Sequence, residues 1–251
     1  RIPGGFVAMK IALPALLAAA AIAPALAAPA DDAATYVQAG RLLADPGTGR
    51  VETEKTIVVR GGRVAEIRDG YVGEGKVVDL RDAFVMPGFI DSHVHITGES
   101  NPNERNDALT KSATDSAFDG VVYAGRTLRA GFTTVIDLGG EPEAIYGLRN
   151  AIAAGKVEGP RIIAAGGVAA HGGHGDIHGY RQEILDLYRS PTLCSGADDC
   201  ARAVRQAVQS GADVIKTAST GGVMSNTAAG LGQQMSDAEL ASLVETAHRL
   251  G

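Results

Sequence analysis

Tryptophan is absent from this chain of 251 residues, and there are only 6 tyrosines and 5 phenylalanines. So thin an aromatic set leaves little to stack on a nucleobase or a sugar ring. Cations are in the minority too, with 23 lysines and arginines against 29 aspartates and glutamates and a net charge of −6. No basic block interleaves with aromatics, so the electrostatic footprint of a nucleic-acid partner is missing. Cysteine is limited to Cys194 and Cys200, with no Cys-x-x-Cys spacing and no ligand histidine beside them, which argues against a thiolate metal site. In an exported protein such a pair closes a local disulfide, the alternative being two free thiols. What is present, 45% hydrophobic and 21% charged residues, is ordinary for a soluble globular protein with a sizeable core.

A bilayer-spanning run is lacking as well. The longest apolar stretch, Ile11 to Ala23, is too short for a span and is interrupted by Pro14 and bounded by Pro24. It follows Lys10 and precedes the small-residue string Ala25-Leu26-Ala27, the layout of a cleaved export signal over 9–27. Residues 1–8 then read as an upstream extension before Met9, 28–34 as a linker, and the mature protein as periplasmic or secreted, with no membrane contact after cleavage.

Residues 35–86 contain alternating apolar runs, with Gly61-Gly62 between two of them as a two-residue hairpin signal. This is a small β-module in which nothing looks catalytic. After Pro87-Gly88 the rhythm changes: strand-like runs at 88–96, 131–139, 161–167 and 212–219 alternate with helical patterns at 107–130, 141–155, 197–210 and 236–250. Repeated βα units of this kind predict an α/β fold on a parallel sheet. Four units are present where a closed TIM-type (β/α)8 barrel needs eight, so 87–251 is expected to be the first half of a barrel, and the chain a fragment of a longer one.

The sharpest chemical signal is Pro87-Gly88-Phe89-Ile90-Asp91-Ser92-His93-Val94-His95. Side chains alternate along a strand, which puts Asp91, His93 and His95 on one face. At the C-terminal mouth of a barrel, His93 and His95 would be a natural pair of zinc ligands, with Asp91 one layer beneath them as a buried acceptor or filler. A chance His-x-His is the bland alternative, and the length of the surrounding string argues against it.

This string resembles the first-strand metal motif of the amidohydrolase superfamily, and the preceding β-module is similar to that family's split N-terminal sandwich. A second similarity is GADVIKTASTGGVMS over 211–225. It implies that Lys216 is carboxylated by CO₂ and that its carbamate bridges two divalent ions, zinc being the expected metal. The chemistry is reasonable in itself: an ammonium beside two cations is driven to lose its proton, and a neutral amine can add CO₂ to become an anionic ligand. A lysine simply escaping to solvent at a strand end is the competing reading.

The histidine- and glycine-rich loop Ala170 to Gly179 has a backbone suited to close approach to a ligand, but it lacks the Lys-Ser/Thr of a phosphate loop. Its GGHGD string, with QMSDAEL further on, resembles the exported dipeptidase and carboxypeptidase-like subgroup, which includes prolidase-type and ochratoxin-hydrolysing members. That resemblance implies that His174 faces substrate, while His171 and His178 solvate the loop. His248 near the end of the last helix is expected to be a surface residue or a partner of the helix C-terminal dipole.

The resemblance further implies hydrolysis of a dipeptide or N-acyl amino acid by a hydroxide bridging two metals ~3.5–4 Å apart. The general acid–base aspartate is expected beyond Gly251, so no catalytic acid or base lies within the chain and the fragment alone is expected to be inactive. A cyclic-amide hydrolase of the imidazolonepropionase type and a non-catalytic scaffold are the rival readings, and a homo-oligomer is compatible with either.

Overall fold

The computed structural model describes residues 33–223 and 230–251. The export signal assigned to 9–27, the extension 1–8 and nearly all of the 28–34 linker lie outside the described residues. The chain divides into two compact units, the first ending at Met86 and the second beginning at Pro87.

The first unit is one four-stranded sheet built from β1 (Thr35–Asp45), β2 (Arg50–Arg60), β3 (Arg63–Asp69) and β4 (Lys76–Val85), in the order β3-β2-β1-β4. Both hairpin pairs are antiparallel, and β4 lies parallel to β1. The turn joining β2 to β3 places Gly61 and Gly62 at φ 53° and 72°. Two successive left-handed residues match the right-handed twist of the strands, and glycine takes them without a Cβ penalty. Val37, Ile57, Ile67 and Val78 stand in register across all four strands and give one face an aliphatic row. On the other side, the Thr56 hydroxyl donates to the Gly70 carbonyl at 2.7 Å and accepts from the Val72 amide at 3.0 Å. Of the sandwich that the resemblance implies, the described residues supply this single layer.

The second unit is α/β. Its strands β5 (Phe89–Val94), β6 (Phe132–Asp137), β7 (Arg161–Ala170) and β9 (Val214–Ala218) run parallel, β6 between β5 and β7 and β9 along β7. Helices return the chain each time: α1 (Glu104–Thr110) and α2 (Ala113–Arg129), then α3 (Pro142–Ala153), then α5 (Ala197–Ser210), with α6 (Asp237–Arg249) following β9.

The single helix expected over 107–130 is divided. Ser112 takes an extended conformation, and its hydroxyl accepts from the Asp115 amide while the Asp115 carboxylate accepts from the Ser112 amide, a capping box that starts a new helix in mid-segment. A short helix α4 (Gln182–Leu187) and a two-residue strand β8 (Leu193–Cys194) occupy the loop after β7, which has no periodicity to announce them.

The core lies on the helical side of the sheet. On α5, Cys200, Ala203, Val204 and Ala207 recur at helical spacing and are buried against Val168 of β7 and Leu243 of α6. A second cluster packs Ile145 and Leu148 of α3 against Val135 and Ile162 of the sheet. Cys194 and Cys200 are joined as a disulfide with their Cα atoms 4.9 Å apart, tying β8 to the first turn of α5. No helix among the described residues is long and apolar enough to cross a membrane.

Glu239 makes a second tie. Its carboxylate completes a capping box with Ser236 at the start of α6 and also accepts from the Gly196 amide at 2.7 Å, just ahead of α5. The Gly196 and Ser236 amides and the Ser236 hydroxyl hold this carboxyl below its ordinary value of 4.5. A lowered native value means stability that is complete above the ordinary range and is lost as pH falls through the native value. Thermal melts followed by circular dichroism should therefore show a falling midpoint across that acid window. Glu239→Gln should flatten the fall, and an unchanged profile in the variant would refute the assignment.

Candidate active site

The histidine pair stands at the C-terminal end of β5. His93 lies within the strand and His95 immediately beyond it, their ring centroids 5.6 Å apart and their planes inclined at 66°. Ladder pairing with β6 slips between Asp91 and Val94, so the strict alternation read over this stretch is broken where the histidines occur. Asp91 makes a local bond: its Oδ1 accepts from the His93 backbone amide at 3.0 Å, so the side chain reaches forward along its own strand. A short carboxylate two residues before an amide readily makes such a local bond.

His95 Nδ1 lies 2.6 Å from the carbonyl oxygen of Gly139. A carbonyl can only accept, so Nδ1 carries the proton, and in the neutral ring Nε2 is the nitrogen with the lone pair. Gly139 has φ 140°, a conformation in which a side chain is strained. The residue that organises this corner is one that sequence reasoning passed over. Asp137, the last residue of β6, is 0% exposed. Its Oδ2 accepts from the Ile96 amide at 2.6 Å and its Oδ1 from the Gly139 amide at 3.0 Å. Burial pushes the Asp137 carboxyl above the usual carboxylate range, against the pull of those two amides and of nearby His95.

Lys216 sits on β9 directly opposite Gly167 of β7 and is half-buried. It lines a cavity of about 1170 Å³ together with Leu138, Gly139, Gly167, Ala169 and His174. His95 lines a neighbouring cavity of about 510 Å³ with Thr97, Glu99 and Lys111. Glu141, Lys111 and Tyr188 belong to the walls of both. Lys216 and His174 thus share a space, and His95 is tied to it through Gly139. His93 stands beside His95 and lines neither of these two cavities. Among the described residues no three histidine, cysteine, aspartate or glutamate side chains converge as a cage for a metal ion.

The loop carrying His174 is held from across the sheet. Its backbone amide donates to Gln234 Oε1 at 2.6 Å, and Gln234 in turn donates its own amide to the Ser219 carbonyl at 2.8 Å, just past β9. One glutamine therefore joins the His174 loop to the segment that follows Lys216, a link between residues 60 apart in sequence. Within the loop, Asp176 Oδ2 accepts from the Gly172 amide at 2.9 Å and lies 3.9 Å from His171 Nδ1. His248 is in the last turn of α6. At the start of β9 another carboxylate plays a structural part: Asp213 Oδ2 accepts from the Ala164 amide at 2.9 Å and from Arg149 Nη1 at 2.7 Å.

Similarity to known proteins follows the same outline. Residues 84–251 match the sequence pattern of the amidohydrolase family. The ochratoxinase of Aspergillus niger is 31% identical over 252 aligned positions, which cover 90% of this chain and 50% of that protein. Among solved structures, a Xaa-Pro dipeptidase with methionine bound in its active site superposes with a TM-score of 0.79 at 33% identity, over 86% of this chain and 54% of that one. A prolidase complexed with N-methylphosphonate-L-proline does so with a TM-score of 0.74 at 32% identity, over 86% of this chain and 54% of that one. The chain spans about half the length of the relatives it matches.

Proposed function

This chain belongs to the amidohydrolase family, and we propose that the protein carrying it is an exported, metal-dependent hydrolase that cleaves the amide bond of a dipeptide or N-acyl amino acid. In this reading the four parallel strands are the first half of a (β/α)8 barrel with its site at their C-terminal ends. His93, His95 and Lys216 would hold a pair of divalent cations, zinc being the natural choice for two imidazoles and an oxygen donor. Bound there, the cations would supply a Lewis acid for the scissile carbonyl and an activated water.

The donor set fits. The observation that supports the reading is the His95 tie to Gly139: it engages Nδ1, leaving Nε2 as the nitrogen available to a metal, and Gly139 itself belongs to the wall of the cavity lined by Lys216 and His174. Lys216 contributes as its carbamate. The neutral amine forms an N–C bond to CO₂ and releases one proton, turning a cation that would repel the metals into an anion with oxygen donors. His174, on a loop pinned by Gln234, orients the substrate in the same cavity. The relatives named a prolidase, a Xaa-Pro dipeptidase and an ochratoxinase support small amide substrates, and the leader-like stretch at 9–27 supports export.

The test is a panel of dipeptides and N-acyl amino acids offered to the protein in the presence of zinc, with release of free amino acids measured by chromatography. Release of the C-terminal amino acid from a subset of the panel is the expected result. Cleavage of cyclic amides in its place, or of no amide at all, would overturn the reading.

A further inference from the structure

We infer that Asp137 is a positioning residue for His95, its carboxylate clamping the backbone on both sides of the imidazole so that Nε2 is the nitrogen presented to a metal. The inference rests on the reading of His95 as a metal ligand and adds a residue that the family motifs in this chain do not contain. Three bonds carry it. The Ile96 amide, directly after His95, donates to one carboxylate oxygen, and the Gly139 amide donates to the other. Between them the Gly139 carbonyl takes the His95 Nδ1–H at 2.6 Å. The ladder completes the frame, because Val94 pairs with Asp137 and the Val94 carbonyl accepts from the Leu138 amide at 3.0 Å. His95 is therefore closed in a ring of hydrogen bonds whose hub is a single side chain.

The choice of residue follows from this geometry. A carboxylate has two acceptor oxygens pointing apart and can receive both amides, whereas an asparagine has one acceptor and would turn an N–H against the other amide. Burying a carboxylate is costly, and among the described residues its hydrogen-bond partners are amides rather than lysine or arginine. Asp213 shows the contrast: it is a structural carboxylate that braces the Ala164 amide but has the Arg149 guanidinium beside it. A partner that fixes the tautomer and orientation of a ligating histidine is conventionally a direct acceptor of its ring N–H. Here the acceptor is a glycine carbonyl, and the carboxylate acts one bond further out by holding that glycine.

The experiment compares wild type, Asp137→Asn and Asp213→Asn in two measurements that need no turnover. Nitrogen-15 NMR of the metal-free protein at alkaline pH reads the His95 tautomer, and competition with a chromophoric chelator reads zinc affinity. Wild type is expected to show the Nδ1–H tautomer. Asp137→Asn is expected to give a mixture of tautomers and to bind zinc about 10–100-fold more weakly, the usual loss when a partner behind a metal ligand is removed. Asp213→Asn is expected to melt earlier but to keep tautomer and affinity. Should Asp137→Asn not fold, Asp137→Ser, which keeps one acceptor oxygen and removes the buried charge, carries the same two readings. A substituted protein with wild-type tautomer and affinity would overturn the clamp alone, as would equal zinc losses in the Asp213 variant. Failure of wild type to bind zinc would remove the metal-site reading and the clamp together.

Discussion

Replacing Lys216 with alanine is expected to lower amide hydrolysis by roughly 10³-fold or more, because a bridging ligand supports charge stabilisation worth several kcal/mol and each ~1.4 kcal/mol is tenfold in rate. Lys216→Arg is the sharper version of the test. Arginine keeps the positive charge and much of the length but cannot lose its proton or add CO₂. A lysine that merely reaches solvent would tolerate that exchange; a carbamate ligand would not. Lys216 is half-buried and lines the cavity that also holds His174, so the substituted side chain stays in that cavity's wall. Turnover of the best substrate, metal per chain by elemental analysis, and the mass of one added CO₂ on native wild type check the three parts of the claim. Wild-type turnover in Lys216→Arg would remove the carbamate from the mechanism.

Substituting alanine for His95 should abolish activity together with bound metal, and chelation of wild type should do the same reversibly, with divalent cations restoring turnover. The Gly139 carbonyl engages His95 Nδ1 and leaves Nε2 as the nitrogen a metal could reach, with His93 beside it as the other proposed imidazole ligand. His174→Ala makes the natural comparison. It removes a side chain from the same cavity wall, and if that residue positions substrate the variant keeps its metal and raises KM. Metal loss in His174→Ala, or full metal content in His95→Ala, would reverse the two assignments.

The elements of the second unit were legible for a local reason. A helix announces itself within its own residues, through the spacing of Cys200, Ala203, Val204 and Ala207 on α5 and through the Ser236–Glu239 capping box that opens α6. The patterns read at 141–155, 197–210 and 236–250 match α3, α5 and α6 to within two residues at each end. The helix expected at 107–130 was miscounted because a polar capping residue, Ser112, interrupts a stretch whose apolar spacing continues through it. The loop after β7 hid α4 and β8, whose short lengths leave no period to detect.

By itself, then, the sequence determined the main strands of the second unit and most of the helices between them, and that His93 and His95 close the first of those strands while Lys216 lies within the last, since those properties are written over a few consecutive side chains. Only the tertiary structure decided which of them share a space and what orients them. Asp137 reaches Ile96 across 41 positions and Gln234 reaches His174 across 60, and both bonds exist because parallel strands place distant strand ends side by side. A hydrogen bond between residues so far apart leaves no periodic trace in the chain. It depends on the registry of the sheet, a property of several segments packed together.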